Sequence, residues 1–410
     1  MSFQTGLSGL NASSKNLDVI GNNIANANTV GAKMSRAEFS AVVASAIGPS
    51  GGGGAAGEGI GVQVATVSQQ FSQGTINITG NNLDCAVNGG GFFELTLQDG
   101  SSAYTRDGQF KLDAKGNLVT NSGANVMGYN IVNGVPSSTP TKMVVPSGAP
   151  IAAKATTTIT ASFNLDARAT TYNQATNTPP GTTYGTTLNA FDSQGVTVPV
   201  KLFFTKNATA NTWDVWDNDP NPTAVPAANN LGSLVFDTSG NITSPSPATL
   251  PMTLTPPNGG SATPMAVTLD VSGATQYGTS FAVSDLTQDG YTAGTLTGVS
   301  ISEEGIITTR YSNGQSQSNG QLALADFRNV QGLKPIGQNN WAETSTSGQP
   351  IHGHPAQGNF GTINSGSLEA SNVDLTAELV AMMTAQRDYQ SNAQTIKTQD
   401  TVLQTLVNLR

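Results

Sequence analysis

The sequence predicts a mostly β chain with α-helical termini, folded as a discontinuous multidomain protein. The terminal helices pair as a coiled-coil-like core, and the chain between them forms a β-rich inner domain and a β-rich outer insert. Three observations carry this. Apolar residues recur at alternating spacings of four and three at both ends. Short alternating runs broken by Gly, Pro, Asn and Asp fill the middle. Composition then shifts to Thr, Pro and Ala from about residue 146 to 290.

At the N-terminus Phe3, Leu7, Leu10, Leu17 and Ile24 follow the coiled-coil spacing, with Ser14 and Gly21 in the gaps. Only Lys15 and Asp18 are charged in the first thirty residues. Helix nucleation is costly, so such a helix draws its stability from packing and needs a partner. After Gly31 comes a connector, residues 31–70, rich in glycine: Gly51, Gly52, Gly53, Gly54, Gly57, Gly59 and Gly61. Those residues predict flexibility. Residues 71–145 and 291–366 read as an inner β domain. Its Asp99-Gly100, Asp107-Gly108 and Lys115-Gly116-Asn117 stretches predict turns, and Asp107-Gly108 predicts a hairpin. Residues 146–290 read as an outer β domain. In "GVTVPVKLFFTK", Val196, Val198, Val200, Leu202 and Phe204 share one face.

From Ser371 the chain contains neither Gly nor Pro. Ser371-x-x-Asp374 has the form of a capping box. Leu375, Leu379, Met382, Tyr389, Ala393, Ile396, Leu403 and Val407 repeat the 4/3 alternation over a helix of roughly 36 residues, ~55 Å long. This is the partner that the N-terminal helix lacks. Residues 1–30 and 371–410 thus make one helical core domain. Gln386 and Asp400 interrupt the second seam, so a two-helix coil alone is weak and further neighbours must complete it.

Charge and length exclude several classes. The chain has 410 residues and net charge −9, room for roughly two to four domains. Only 10% of residues are charged, against about 25% in ordinary soluble proteins. Such a surface resists association poorly, and an acidic chain with few Lys and Arg is a poor nucleic-acid binder. No Sec-type signal peptide or apolar run of membrane-spanning length is visible.

Candidate chemistry is sparse. The single cysteine, Cys85, beside Asp84, reads as a small buried residue. His352 and His354 lack the further ligands of a structural zinc site and read as a surface loop. The Gly-rich stretches lack phosphate-loop spacing. Asp214, Asp217 and Asp219 lack the central Gly and terminal Glu of a calcium loop, and Trp213 and Trp216 read as packing anchors. The sequence therefore predicts no catalytic, cofactor or metal residues.

Four stretches resemble the bacterial flagellar axial proteins, the rod and hook family. They are "SGLNASSKNLDVIGNNIANANTVGAK", "LDCAVNGGGFFEL", "YTRDGQFKLDAKGNLVTNSGANVMGY" and "LEASNVDLTAELVAMMTAQRDYQSNAQTIKTQDTVLQTLVNLR". Together they cover somewhat over a quarter of the chain. Ala32 stands where the family usually has an aromatic. The "YQSNAQTIKTQD" wording is similar to hook members rather than rod members. The resemblance implies a structural subunit that polymerises helically into a short, curved, hollow tube outside the cell. That tube serves as universal joint between rod and filament and as export channel. Implied partners are many copies of the chain itself, the distal rod protein, the hook cap scaffold, the hook-filament junction protein and the flagellar type III export apparatus, with no nucleic acid and no membrane insertion. Export would use no cleavable signal peptide. The alternatives are a distal rod protein of the same family, disfavoured by the long insert, and more remotely a secreted β-rich adhesin or polysaccharide-acting enzyme, which would need a signal peptide and no matched terminal seams.

Overall fold

The computed structural model describes residues 3–43, 59–132, 135–146, 148, 150–172, 182–220, 229–257 and 264–408. The chain forms two compact units. Unit 1 comprises residues 1–148, 298–310 and 316–410, and unit 2 residues 149–297 and 311–315.

Unit 1 holds both helices, α1 (Phe3–Ala25) and α2 (Leu375–Asn408). α2 runs 34 residues, about 51 Å. It starts three residues later than a Ser371 cap implies. Asp374 Oδ1 accepts from the Thr376 and Ala377 amides at 2.9 and 3.2 Å, so Asp374 is the N-cap, while Ser371 Oγ accepts only from Val373 N.

The 31–70 segment is a corrected expectation. Its described part is a two-stranded antiparallel ribbon, β1 (Ser35–Val43) with β2 (Gly59–Gln69). "EFSAVV" and "GVQVATV" carry β-branched and apolar residues in strand alternation, a signal stronger than the glycines around them. Gly51, Gly52, Gly53, Gly54 and Gly57 lie outside the described residues.

The body of unit 1 is a set of antiparallel strands. Its main path runs Leu296–Ile301, Ile306–Tyr311, Ser316–Leu322, Asn125–Val132, Phe92–Thr96, Ser102–Thr105, Asn340–Ala342, Lys334–Gly337. A separate short strand, β3 (Ile76–Ile78), pairs with Ser367–Glu369. One core gathers Phe93, Leu95, Phe110, Leu118, Val126 and Leu322; a second stacks Phe92, Tyr104, Phe327 and Trp341 edge to face. Asp99-Gly100 turns between paired strands, as does Lys115-Gly116. Asp107-Gly108 does not form the predicted hairpin. The strands beside it pair elsewhere, and Gly108 packs its Cα on the Cys85 carbonyl, where a Cβ has no room.

Unit 2 is two five-stranded sheets sharing one core. Thr197–Lys206 buries Val198, Val200, Leu202 and Phe204 on one face, as its alternation predicts. Trp213 is fully buried and Trp216 nearly so. The segment after residue 290, expected in the inner domain, instead bridges within unit 2: Tyr291 pairs with Lys154 and Gly294 with Ile151.

Candidate assembly site

The helices pair through small residues. A Cβ on Gly6 would meet Ile396 Cγ1 at 3.2 Å, and one on Gly9 would meet Asn392 Oδ1 at 2.9 Å. Asn392 Nδ2 donates to Ser13 Oγ at 3.3 Å. Gly6, Gly9 and Ser13 thus line a close approach of the two helices that the apolar spacing does not single out. An adjacent α1 face buries Ala12, Val19, Ile20 and Asn23. The ribbon covers part of α1: Asn23 exchanges two hydrogen bonds with the Ser35 backbone, and Val62 N donates to Ser8 Oγ. Gly61, expected as a hinge, has φ +143° and lies so close to Ser8 that a side chain there would collide. Its missing Cβ permits contact. Gly59 pairs with Val43.

Of the predicted seam residues, Ile396 lies at the helix–helix contact. Leu10, Leu17, Ile24 and Met382 are half-buried. Leu7, Leu375, Leu379, Tyr389 and Leu403 remain exposed, as do Val380, Met383 and Val402. The side chains of Phe3 and Val407 lie outside the described residues. α2 thus keeps a long apolar stripe open.

Where the arms meet the β body sits a buried charge cluster that the sequence reading missed. Glu369, fully buried, ends the strand paired with β3 and shortly precedes α2. Its Oε1 lies 2.6 Å from Lys33 Nζ and its Oε2 3.3 Å from Arg106 Nη1. Gly74 N also donates to Oε1 at 2.9 Å. Lys33 Nζ adds a bond to Ser72 O, and Arg106 bonds Gly89 O and lies 5.1 Å over the Phe92 ring. Burial holds both cations below their ordinary pKa values, and Glu369 opposes it. Gly31 N donates to Glu369 O, and Met34 N to Asn372 Oδ1. One short segment, 369–372, therefore ties down the exit of α1. Ala32 is buried beside this cluster and lines a cavity of about 140 Å³ with Asn23, Gln69 and Trp341.

A signal for this cluster existed. Lys33, Arg106 and Glu369 each lie in one of the four resembling stretches, in a chain with few charges to spare.

The isolated candidates lie apart from this cluster. Cys85 is buried, and burial pushes its thiol up to about 12, with Asp84 adding to the effect. His352 corrects the surface-loop reading: it sits on the strand Ile351–Gly353 with Nδ1 3.0 Å from the buried Glu94 carboxylate. His354 packs on Tyr129 with ring centroids 4.3 Å apart. Among the described residues no group of three or more His, Cys, Asp or Glu is placed to hold a metal ion.

Comparison with known proteins fits this geometry. Residues 3–33 match the family model described as flagella basal body rod protein, and 86–167 the flagellar hook protein FlgE/F/G D1 domain. Residues 164–291 match the flagellar basal body protein FlaE D2 domain, and 364–409 the flagellar basal body rod FlgEFG protein C-terminal region. The chain is 40% identical to the flagellar hook protein FlgE of Escherichia coli over all of both chains. The chain belongs to the flagellar hook protein family. The hook protein FlgE of Salmonella typhimurium is 39% identical, again over both full lengths. The crystal structure of Helicobacter pylori flagellar hook protein FlgE2 covers 72% of this chain and 100% of its own, with TM-score 0.53 and 16% identity. That likeness supports the fold. Lys33 falls within the matched N-terminal region of this hook-family chain, Arg106 in its D1 region and Glu369 in its C-terminal region. The buried cluster thus joins three separately matched segments.

Proposed function

We propose that this chain is the structural subunit of the flagellar hook. It polymerises helically into a short, curved, hollow tube that joins rod to filament outside the cell, bends as a universal joint and serves as export channel. One structural observation carries the reading. α2 pairs with α1, yet Leu375, Leu379, Val380, Met383, Tyr389, Val402 and Leu403 stay exposed, so the apolar stripe of α2 is covered only among further copies. Identity near 40% over the entire length of hook proteins supports it against a rod protein. The role is structural, not catalytic.

In this reading residues 1–30 and 371–410 line the core of the tube, and Phe3, Leu7, Leu10, Leu17, Ile24, Leu375, Leu379, Met382, Tyr389, Ile396, Leu403 and Val407 supply its packing within and between copies. The β body of unit 1 forms the inner domain, and unit 2, residues 149–297 and 311–315, the outer one. Bending lengthens and shortens each row of subunits once per turn, so outer contacts must slide cheaply. Thr, Ser, Asn and Gly surfaces with few charges suit that, since few ion pairs break and re-form. The glycines at 51–54 would let the domains shift against the core. The tube's partners are the distal rod protein, the cap scaffold, the hook-filament junction protein and the export apparatus, which passes the subunit without a cleavable signal.

Immunogold labelling with antibody against residues 146–290 tests the reading. Gold is expected on the short curved segment between envelope and filament of intact cells and of purified hook–basal bodies. Gold confined to the envelope-spanning rod, or scattered over the cell surface, refutes it.

A further inference from the structure

The β body of unit 1 carries two small apolar patches outside the helical arms. The first surrounds β3. Ile78 is 88% exposed. With Ile76, Ile301 and Ile363 it lines an open groove of about 610 Å³. Glu303 stands on the rim of that groove with Glu304 beside it, both exposed. The second patch is the strand Lys334–Gly337. All four residues are exposed, with Ile336 at 42%, and Arg328 is exposed shortly before it.

The two patches are complementary. One sets exposed Ile78 in a mixed apolar and polar groove with acidic Glu303 on its rim, and the other sets exposed Ile336 on a strand that begins with Lys334, in a chain where only 10% of residues are charged. They also lie apart in the strand order. Lys334–Gly337 ends the main path on one side, while Glu303 and Glu304 turn between the two strands that end it on the other. Different patches on one molecule make a head-to-tail contact, which builds a ring or an open helical filament rather than a two-fold dimer. An isoleucine this exposed beside a strand edge is otherwise an aggregation liability.

We propose that these patches are the two halves of one contact between copies of this chain. Ile336 of one copy enters the groove beside Ile78 of the next, and Lys334 and Arg328 meet Glu303 and Glu304. Pro335 has no N–H to extend a ladder, so side chains make the contact. The proposal rests on the polymer reading above and adds which surfaces of the β body touch.

The test uses the full chain carrying Ile78→Cys and Ile336→Cys together. Cys85 is fully buried and does not compete. Oxidising assembled tubes should give a ladder of dimers, trimers and longer species on a non-reducing gel, and neither single variant should. Independently, Lys334→Glu should raise the concentration needed for assembly about threefold, and adding Glu303→Lys should restore it. Tubes that form without a ladder and tolerate Lys334→Glu overturn this contact and leave the polymer reading intact. A ladder from Ile78→Cys with Leu379→Cys instead would place a helix in the groove and also overturn it. A wild-type chain that forms no tubes refutes the polymer reading itself.

Discussion

Glu369→Gln tests whether the arms are held to the β body by the buried cluster. The change is nearly isosteric, so it removes charge without leaving a cavity. Lys33 and Arg106 keep their positions with side-chain exposures of 1% and 7%, now facing a neutral amide. Removing one partner of a buried ion pair costs about 3–5 kcal/mol, because the remaining charge stays desolvated. That is a large part of the ~5–15 kcal/mol that holds a typical domain together. The loss should depend on pH. Burial already lowers the Lys33 pKa, and Glu369 is the main influence raising it. In the variant the folded state binds fewer protons than the unfolded state at Lys33, so stability rises with pH. The deficit against wild type should therefore narrow as pH climbs from neutral toward the unfolded lysine value of about 10.4. Urea unfolding followed by circular dichroism at 222 nm, with tryptic cleavage after Lys33, reads both effects. A control with Lys33→Met, Arg106→Met and Glu369→Leu together should recover most of the loss. A Glu369→Gln chain within about 1 kcal/mol of wild type, with Lys33 equally resistant to trypsin, would refute the reasoning.

Other expectations follow from single contacts. Gly9→Ala gains about 1 kcal/mol of helix propensity but sets a Cβ 2.9 Å from Asn392 Oδ1, so alone it should gain little; adding Asn392→Ala should release the gain, and a double-mutant cycle in thermal unfolding measures the coupling. Asp374→Ala removes the cap of α2 and should cost about 1 kcal/mol, seen as faster amide exchange at Thr376 and Ala377. Cys85 should stay unreactive toward a thiol reagent at pH 8 until the chain unfolds. Its folded pKa is raised from 9.0 to about 12, so its contribution is intact below pH 9 and lost as pH rises through that window. A Cys85→Ser variant should lack that part of the alkaline loss.

What was legible in the sequence was periodicity. The 4/3 alternation marks both helices, and the period-2 run at Thr197–Lys206 marks its buried face correctly. Periodicity names the apolar face of an element, but not which neighbour covers it. α1 meets α2 through Gly6, Gly9 and Ser13, residues that any apolar count passes over, because close helix approach needs small side chains rather than greasy ones. The ribbon was obscured for a related reason: glycine reads as flexible, yet Gly61 has one fixed conformation that a contact with Ser8 demands. The charge cluster joins residues 33, 106 and 369, whose separation hides them from any local window. The same separation gives the cluster its mechanical meaning. Lys33 and Met34 find their partners on residues 369 and 372, so the N-terminal arm has no complete seat until the C-terminal end of the β body has folded. Both arms then leave the body from one rigid, dehydrated point. Glu369 and its partners thus stand at the point where both helices join the sheets.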